Sequence, residues 1–279
     1  MNQRRNLLVV SNFALLLTIG IILMLPFVFM IVASFTPTRD IWQGGLSLTI
    51  NYYNFTLENF QALWTHRGGI YWTWFFNSIF VTVVNTTMIL IFTSMVGYGL
   101  GLYNFVGRNA ILILVLCTMM IPFTILILPL FRLMTNFGLM DSYWGLILPV
   151  MVPGFSIFFF RQFCVGLPKE YMEAARIDGS GEAMIFLRIY VPLMLPAFGA
   201  MAILQGMGIW NDFIWPMVVL RTTTMFTIAP GLMSSMTPYG NAFDVLFAGS
   251  VMSVIPIAIL FLVNQRAFID GLTVGGVKG

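Results

Sequence analysis

Eight charged side chains fall within residues 161–188: Arg161, Lys169, Glu170, Glu173, Arg176, Asp178, Glu182 and Arg188. They stand out because only 8% of the 279 residues are charged while 59% are hydrophobic. A soluble domain carries roughly 25% charged residues, so lipid must be the solvent for most of this surface. The charged stretch then lies in water or against another protein. Such charges suit either a surface that docks a partner or the polar face of a connector lying on the membrane.

A second group of interest is Asp212 with Asn211, Trp210 and Gln205. A carboxylate near a spanning helix is expensive and tends to mark function or a buried partner. Gln205 lies two helical turns before Asp212, so both could share a face. The set reads either as a translocation-path contact or as a tie between helices, and the tie is favoured. His66 is the single histidine and reads as a loop residue. Cys117 and Cys164 are far apart, have no metal-ligand spacing and read as packing residues. No GxxxxGK[ST] loop exists, so the chain does not bind ATP in the P-loop manner. Gly97 and Gly101 have the small-xxx-small spacing of helix packing.

The elements that must hold these residues are apolar stretches of spanning length. About 20 apolar residues cross a bilayer. Six spans are expected, at about 8–33, 78–102, 110–131, 144–160, 194–218 and 245–264, forming one transmembrane domain over 1–279. The segment Ile70–Trp74 reads as an aromatic approach to the second span, which starts near Asn77. The fourth span contains Pro149 and Pro153 and should be kinked. The first run, behind Arg4 and Arg5, is too long for a signal-peptide core and is taken as a retained helix. With the N-terminus inside, nine Lys and Arg fall on inner segments and four (Arg39, Arg67, Arg132 and Arg221) on outer ones. Both termini are therefore expected in the cytoplasm. The outer loop, about 34–77, holds Trp42, Tyr52, Tyr53, Trp64, Tyr71, Trp72 and Trp74. Those rings read as interfacial anchors, with docking of an external partner or solute as the other reading.

The 161–192 loop reads as helix, turn, helix. Pro168 suits a first turn, and Glu170 and Glu173 favour an N-terminal dipole. Gly179 suits a left-handed end. Ser180 can cap a second helix through Ile189, which Pro192 stops. Ala174 and Ala175 present small side chains side by side, as a helix seated in a groove requires. An amphipathic connector on the membrane surface fits the pattern equally well.

Glu173-Ala174-Ala175, then Gly179, Ile189 and Pro192 at fixed spacing, resembles the EAA-x3-G-x9-I-x-L-P loop of ABC importer permeases. Val191 stands where Leu is usual. Gly138-Leu139 with Asp141 and Trp144 to Pro149, Asp178-Gly179, Trp210-Asn211-Asp212-Phe213 with Trp215-Pro216, and the ending Gly271-Leu272-Thr273 to Val277-Lys278-Gly279 are similar to the carbohydrate branch of MalG type. The likeness is strong over about 138–218 and the last nine residues.

The resemblance implies an all-α integral membrane fold whose cytoplasmic loop docks on an ATPase through Glu170, Glu173, Ala174, Ala175, Asp178, Gly179, Ile189 and Pro192. It implies that Gly271, Leu272, Thr273 and Lys278 reach the ATPase too, although the Gly-rich tail alone reads as disordered. The implied system imports a sugar, polyol or glycoside by alternating access across a bacterial or archaeal cytoplasmic membrane. It needs a second permease subunit, two ATPase subunits that use ATP and Mg, and an extracytoplasmic solute-binding protein. The chain itself would be no enzyme, would hold no cofactor or metal, and would bind no nucleic acid. Gln205, Trp210, Asn211 and Asp212 would be its candidate path or helix-tying residues. Competing readings are an ABC permease for another solute, and a channel or secondary carrier. The latter would call for more ionisable groups mid-membrane than Asp212 and Asp244.

Overall fold

The computed structural model describes residues 2–44, 55–237 and 240–274, with side chains described over 10–41, 55–236 and 242–265. The chain is helical almost throughout, with α1 Asn2–Ser34, α2 Thr38–Gly44, α3 Glu58–Thr65, α4 Ile70–Leu102 and α5 Arg108–Met119. There follow α6 Phe123–Asn136, α7 Tyr143–Ile147, α8 Gly154–Val165, α9 Glu170–Ile177 and α10 Glu182–Ile185. The last are α11 Val191–Leu193, α12 Leu195–Trp210, α13 Ile214–Val219, α14 Ile228–Ser234 and α15 Phe243–Val274. Two-residue strands, Met236–Thr237 and Gly240–Asn241, pair antiparallel before α15.

Three stretches are long and apolar enough to cross a membrane unbroken: Val10–Ser34, Ile70–Leu102 and Phe243–Gln265. Three more arise as bent pairs, giving six if each pair is one passage. The α5–α6 pair bends by 100°, Tyr143–Val150 with α8 by 47°, and Glu182–Leu193 with α12 by 75°. A proline starts the second limb each time: Pro122 and Pro153 are N-caps in extended conformation, and Pro196 lies in the first turn of α12. A proline has no N–H to give to the previous turn and pushes the preceding residue out of the α region. The stretch 110–131 is therefore two helices, not one continuous rod.

Other boundaries also differ from expectation. α4 begins at Ile70, so the aromatic approach is part of the helix. The expected 194–218 span ends at Trp210 and resumes as α13. α15 remains helical to Val274, where a disordered tail was expected from 271 onward.

The chain divides into two compact units: 1–72 with 232–254, and 73–231 with Ile255 onward. In the first unit, Asn59 is buried and donates through Nδ2 to Ser34 O at 2.9 Å and Thr36 O at 2.8 Å, closing the end of α1. The Tyr71 hydroxyl donates to Gly249 O at 2.9 Å. Every residue from 10 to 28 is exposed.

In the second unit, α4 and α8 meet at backbone distance. A Cβ on Gly97 would lie 2.6 Å from Phe160 Cβ, and one on Gly101 would lie 2.8 Å from Cys164 Cβ. Glycine at these two positions is what permits the approach. Around this contact Tyr98, Leu102, Phe160, Cys164, Tyr190, Met194 and Met201 form one apolar cluster. Cys164 is buried there, with Sγ 3.1 Å from Met194 Sδ, whereas Cys117 is exposed on α5 rather than packed. Trp74 is fully buried and donates through Nε1 to Thr223 O at 2.7 Å. Trp74 and Tyr71 are thus core residues and not interfacial anchors. Trp64 is exposed as an anchor would be. Tyr52 and Tyr53, and the side chain of Trp42, lie outside the described residues.

Candidate coupling loop and membrane polar segment

α9 is an eight-residue helix with Glu170 and Glu173 in its first turn and Arg176 in its last. That arrangement complements the helix dipole at both ends. Pro168 falls just before the N-cap Lys169 rather than inside the helix. The helix closes on a two-bond left-handed cap: Ser180 N donates to Ala175 O at 2.9 Å and Gly179 N to Arg176 O at 3.0 Å, with Gly179 at φ +78°. Asp178 is the C-cap residue. Ser180 does not cap the next helix; Gly181 occupies that position, and no side chain caps it.

Met172 and Ala175 point into the apolar cluster of the second unit, while Glu170, Tyr171, Glu173, Ala174, Ile177 and Asp178 are exposed. Ala174 and Ala175 therefore face different ways, the first outward and the second inward. Neighbours on a helix are about 100° apart, so one small residue lets the helix sit close to its own chain and the other is left outside. Ile177 is 87% exposed, a large apolar side chain at the tip of a charged helix. Ile189 packs against the same cluster from the π-helical segment Phe186–Tyr190. Pro192 does not stop that segment; it sits in the first turn of α11, and the bend comes at Met194. There its missing N–H costs no hydrogen bond.

The Glu182 carboxylate joins distant parts of the chain. Arg176 Nε donates to Oε1 at 2.7 Å, and the Tyr103 hydroxyl donates to Oε2. The Arg176 guanidinium lies 5.6 Å above the centre of the Tyr103 ring. The Tyr98 and Tyr103 hydroxyls are 3.1 Å apart. The Glu182 carboxylate holds the Arg176 guanidinium above its ordinary range. Neither Tyr103 nor this pairing was singled out from sequence, since 79 residues separate Tyr103 from Glu182.

The polar residues of the fifth span do not converge. Gln205 Nε2 donates to the buried Ser156 Oγ at 2.9 Å, tying α12 to α8. Asn211 Nδ2 folds back to Met207 O at 2.9 Å, at the end of α12. Asp212 Oδ1 accepts from Trp215 N at 3.4 Å, at the start of α13. Trp210 is buried edge-on to Phe75, ring centres 5.8 Å apart. It lines a cavity of about 470 Å³ together with Thr82, Gly206, Pro256 and Leu260. Of these four, Gln205 bonds from one spanning helix to another, Asn211 and Asp212 bond within their own turns, and Trp210 lines the cavity.

The segments flanking the loop lock together. Asp141, at φ +56°, accepts from Arg221 N at 2.9 Å and Thr222 N at 3.0 Å, and from the Thr222 hydroxyl. Asp141 N donates to Val219 O at 2.9 Å. These donors, the Arg221 amide first, hold the Asp141 carboxyl below its ordinary value of 3.8. Trp215 Nε1 donates to Gly145 O at 3.2 Å. A Cβ on Gly145 would stand 2.3 Å from Leu139 O. Gly271, Leu272 and Thr273 lie on α15 with side chains outside the described residues, and Lys278 lies wholly outside them.

Residues 93–273 match the family described as binding-protein-dependent transport system inner membrane component. The chain is 51% identical over 269 residues to the arabinooligosaccharides transport system permease protein AraQ of Halalkalibacterium halodurans, covering 95% of this chain and 96% of that one. It is 30% identical to the lactose transport system permease protein LacG of Rhizobium radiobacter, covering 99% and 98%. Its fold is similar to a chain in the crystal structure of a bacterial ABC transporter involved in import of the acidic polysaccharide alginate, with TM-score 0.80, 24% identity and coverage of 93% and 95%. At that identity the likeness speaks to fold alone. The helical architecture, the motif-bearing segments and the matched span of 93–273 agree, and the chain belongs to the family of binding-protein-dependent transport system inner membrane components, the permease subunits of ABC importers.

Proposed function

We propose that this permease carries an oligosaccharide or a related glycoside inward, and that α9 is the element through which a partner ATPase drives it. The observation that carries the second point is the split of α9. Met172 and Ala175 are anchored in the chain's own core, and Glu170, Glu173, Ala174, Ile177 and Asp178 are turned out. Ala174 and Ile177 amid acids, with Tyr171 beside them, suit a cleft with an apolar floor and basic rim. The substrate class is supported by the full-length similarity to permeases named for arabinooligosaccharides and lactose.

In this reading the loop and both termini lie in the cytoplasm, in keeping with the nine-to-four distribution of Lys and Arg. Two ATPase subunits bind ATP and Mg, close on hydrolysis-competent nucleotide, and displace α9. The chain pairs with a second permease, and the two rock between outward-facing and inward-facing states. A solute-binding protein delivers the saccharide from outside. The end of α15 and the residues beyond it reach the ATPase.

The test is reconstitution with the partner permease, ATPase and binding protein in vesicles. ATP hydrolysis should rise when the binding protein carries an arabino-oligosaccharide or another oligosaccharide. Stimulation by amino-acid-loaded or phosphate-loaded binding protein, with none by saccharides, would sink the substrate assignment. Normal ATPase recovery with α9 residues Glu173 and Ala174 both replaced by Arg would sink the docking assignment.

A further inference from the structure

We infer that Tyr103, Arg176 and Glu182 form a positioning clasp that makes α9, α10 and the end of α4 move as one body when the loop is displaced. The inference rests on the reading of α9 as the driven element. α9 has only eight residues, and Met172 and Ala175 hold it to the core by apolar contact. Such contact is non-directional, so a push on the outer face of α9 could be absorbed by rolling or sliding. Directional bonds prevent that, and the Glu182 carboxylate supplies them.

Each Glu182 oxygen takes one donor, Arg176 from the last turn of α9 and Tyr103 from the residue after α4. Glu182 itself opens α10, whose chain continues through α11 into α12. One carboxylate thus links the pushed helix to two membrane helices. The Arg176 and Glu182 side chains are 40% and 53% exposed, and such pairs contribute little to stability. Their use is in fixing direction, which a charge-assisted bond with a stacked guanidinium does well.

The test uses the complete transporter in vesicles, with Tyr103→Phe, Glu182→Gln and the swap Arg176→Glu/Glu182→Arg. Saccharide taken up per ATP hydrolysed should fall about three- to tenfold in each single variant, the range expected for losing a partly exposed charge-assisted bond. ATPase subunit recovery should not change. The double variant Tyr103→Phe/Glu182→Gln should be no worse than the worse single one, because both act on one carboxylate. The swap should recover part of the loss. A purely structural role would instead lower recovery of the complex at an unchanged ratio.

Amide hydrogen exchange over 170–193, measured on the full chain in detergent, reads the clasp without transport. Exchange should quicken about threefold in either single variant. Tyr103→Phe removes one hydroxyl, so it decides the matter should Glu182→Gln fail to assemble. Wild-type coupling and wild-type exchange in Tyr103→Phe would overturn the clasp. A wild-type transporter unresponsive to any saccharide would instead overturn the substrate assignment, and the exchange measurement would still judge the clasp.

Discussion

The 138–149 turn with 210–222 and the 161–192 loop both carry fixed-spacing motifs, yet Asp141 of the first and the acids of α9 in the second use their carboxylates in opposite ways. Asp141 spends its carboxylate on three donors from residues 221 and 222 of its own chain. Trp215 and Gly145 close the same region from inside. In the loop, Glu170, Glu173 and Asp178 face out while Met172 and Ala175 face in. A motif can therefore reflect geometry that the chain must satisfy within itself or, as we propose for α9, geometry that a partner requires. Burial and hydrogen bonding tell the two apart, and spacing alone does not.

Substitutions can break or sharpen that contrast. Gly145→Ala should have the largest effect, because its Cβ would stand 2.3 Å from a backbone oxygen that cannot turn away. We expect about 3 kcal/mol or more of destabilisation, read as loss of folded chain in a detergent thermal melt. Ala175→Leu should follow at about 1–3 kcal/mol, since it overpacks a buried site. Ala174→Leu, one residue away, should leave the melt unchanged and reduce ATPase-driven uptake about tenfold, a clash worth about 1.4 kcal/mol. Equal melts for these two variants would erase the distinction between inward and outward faces of α9.

Gly179→Ala should cost about 1–2 kcal/mol, for its φ of +78° and not for space, because nothing lies within 4 Å of the added carbon. Asp141→Asn should have the smallest effect, about 1 kcal/mol at neutral pH. The Asp141 carboxyl is held below 3.8, so its contribution is present above that pH and lost as pH falls through the lowered value. Melts of the wild type and Asp141→Asn should therefore converge in acid. A gap independent of pH would mean that shape, not charge, holds the turn.

Much of the architecture was legible because proline and glycine act locally. Pro153 marked a kink, and Gly179 marked the end of α9. Gly97 and Gly101 marked a close packing face. Where the reading missed, the cause was an interaction that sequence spacing does not carry. Tyr71 and Trp74 have the composition of interfacial anchors, but burial against Gly249 and Gly231 makes them core. α12 was extrapolated past Trp210 because nothing apolar stopped; Asn211 and Asp212 side chains capture nearby backbone groups and end it. Ala174 and Ala175 were placed on one face although adjacent helix positions diverge. The link from Tyr103 to Glu182 needed the fold.

The naked surface of α1 has a consequence for how this chain varies. Every residue from 10 to 28 is exposed, so among the described residues of its own unit no neighbour constrains side-chain shape there. Among relatives, drift in that helix should preserve hydropathy and length while exchanging Leu, Ile, Phe and Met freely. Any position in it that resists such exchange would mark the footprint of a different molecule.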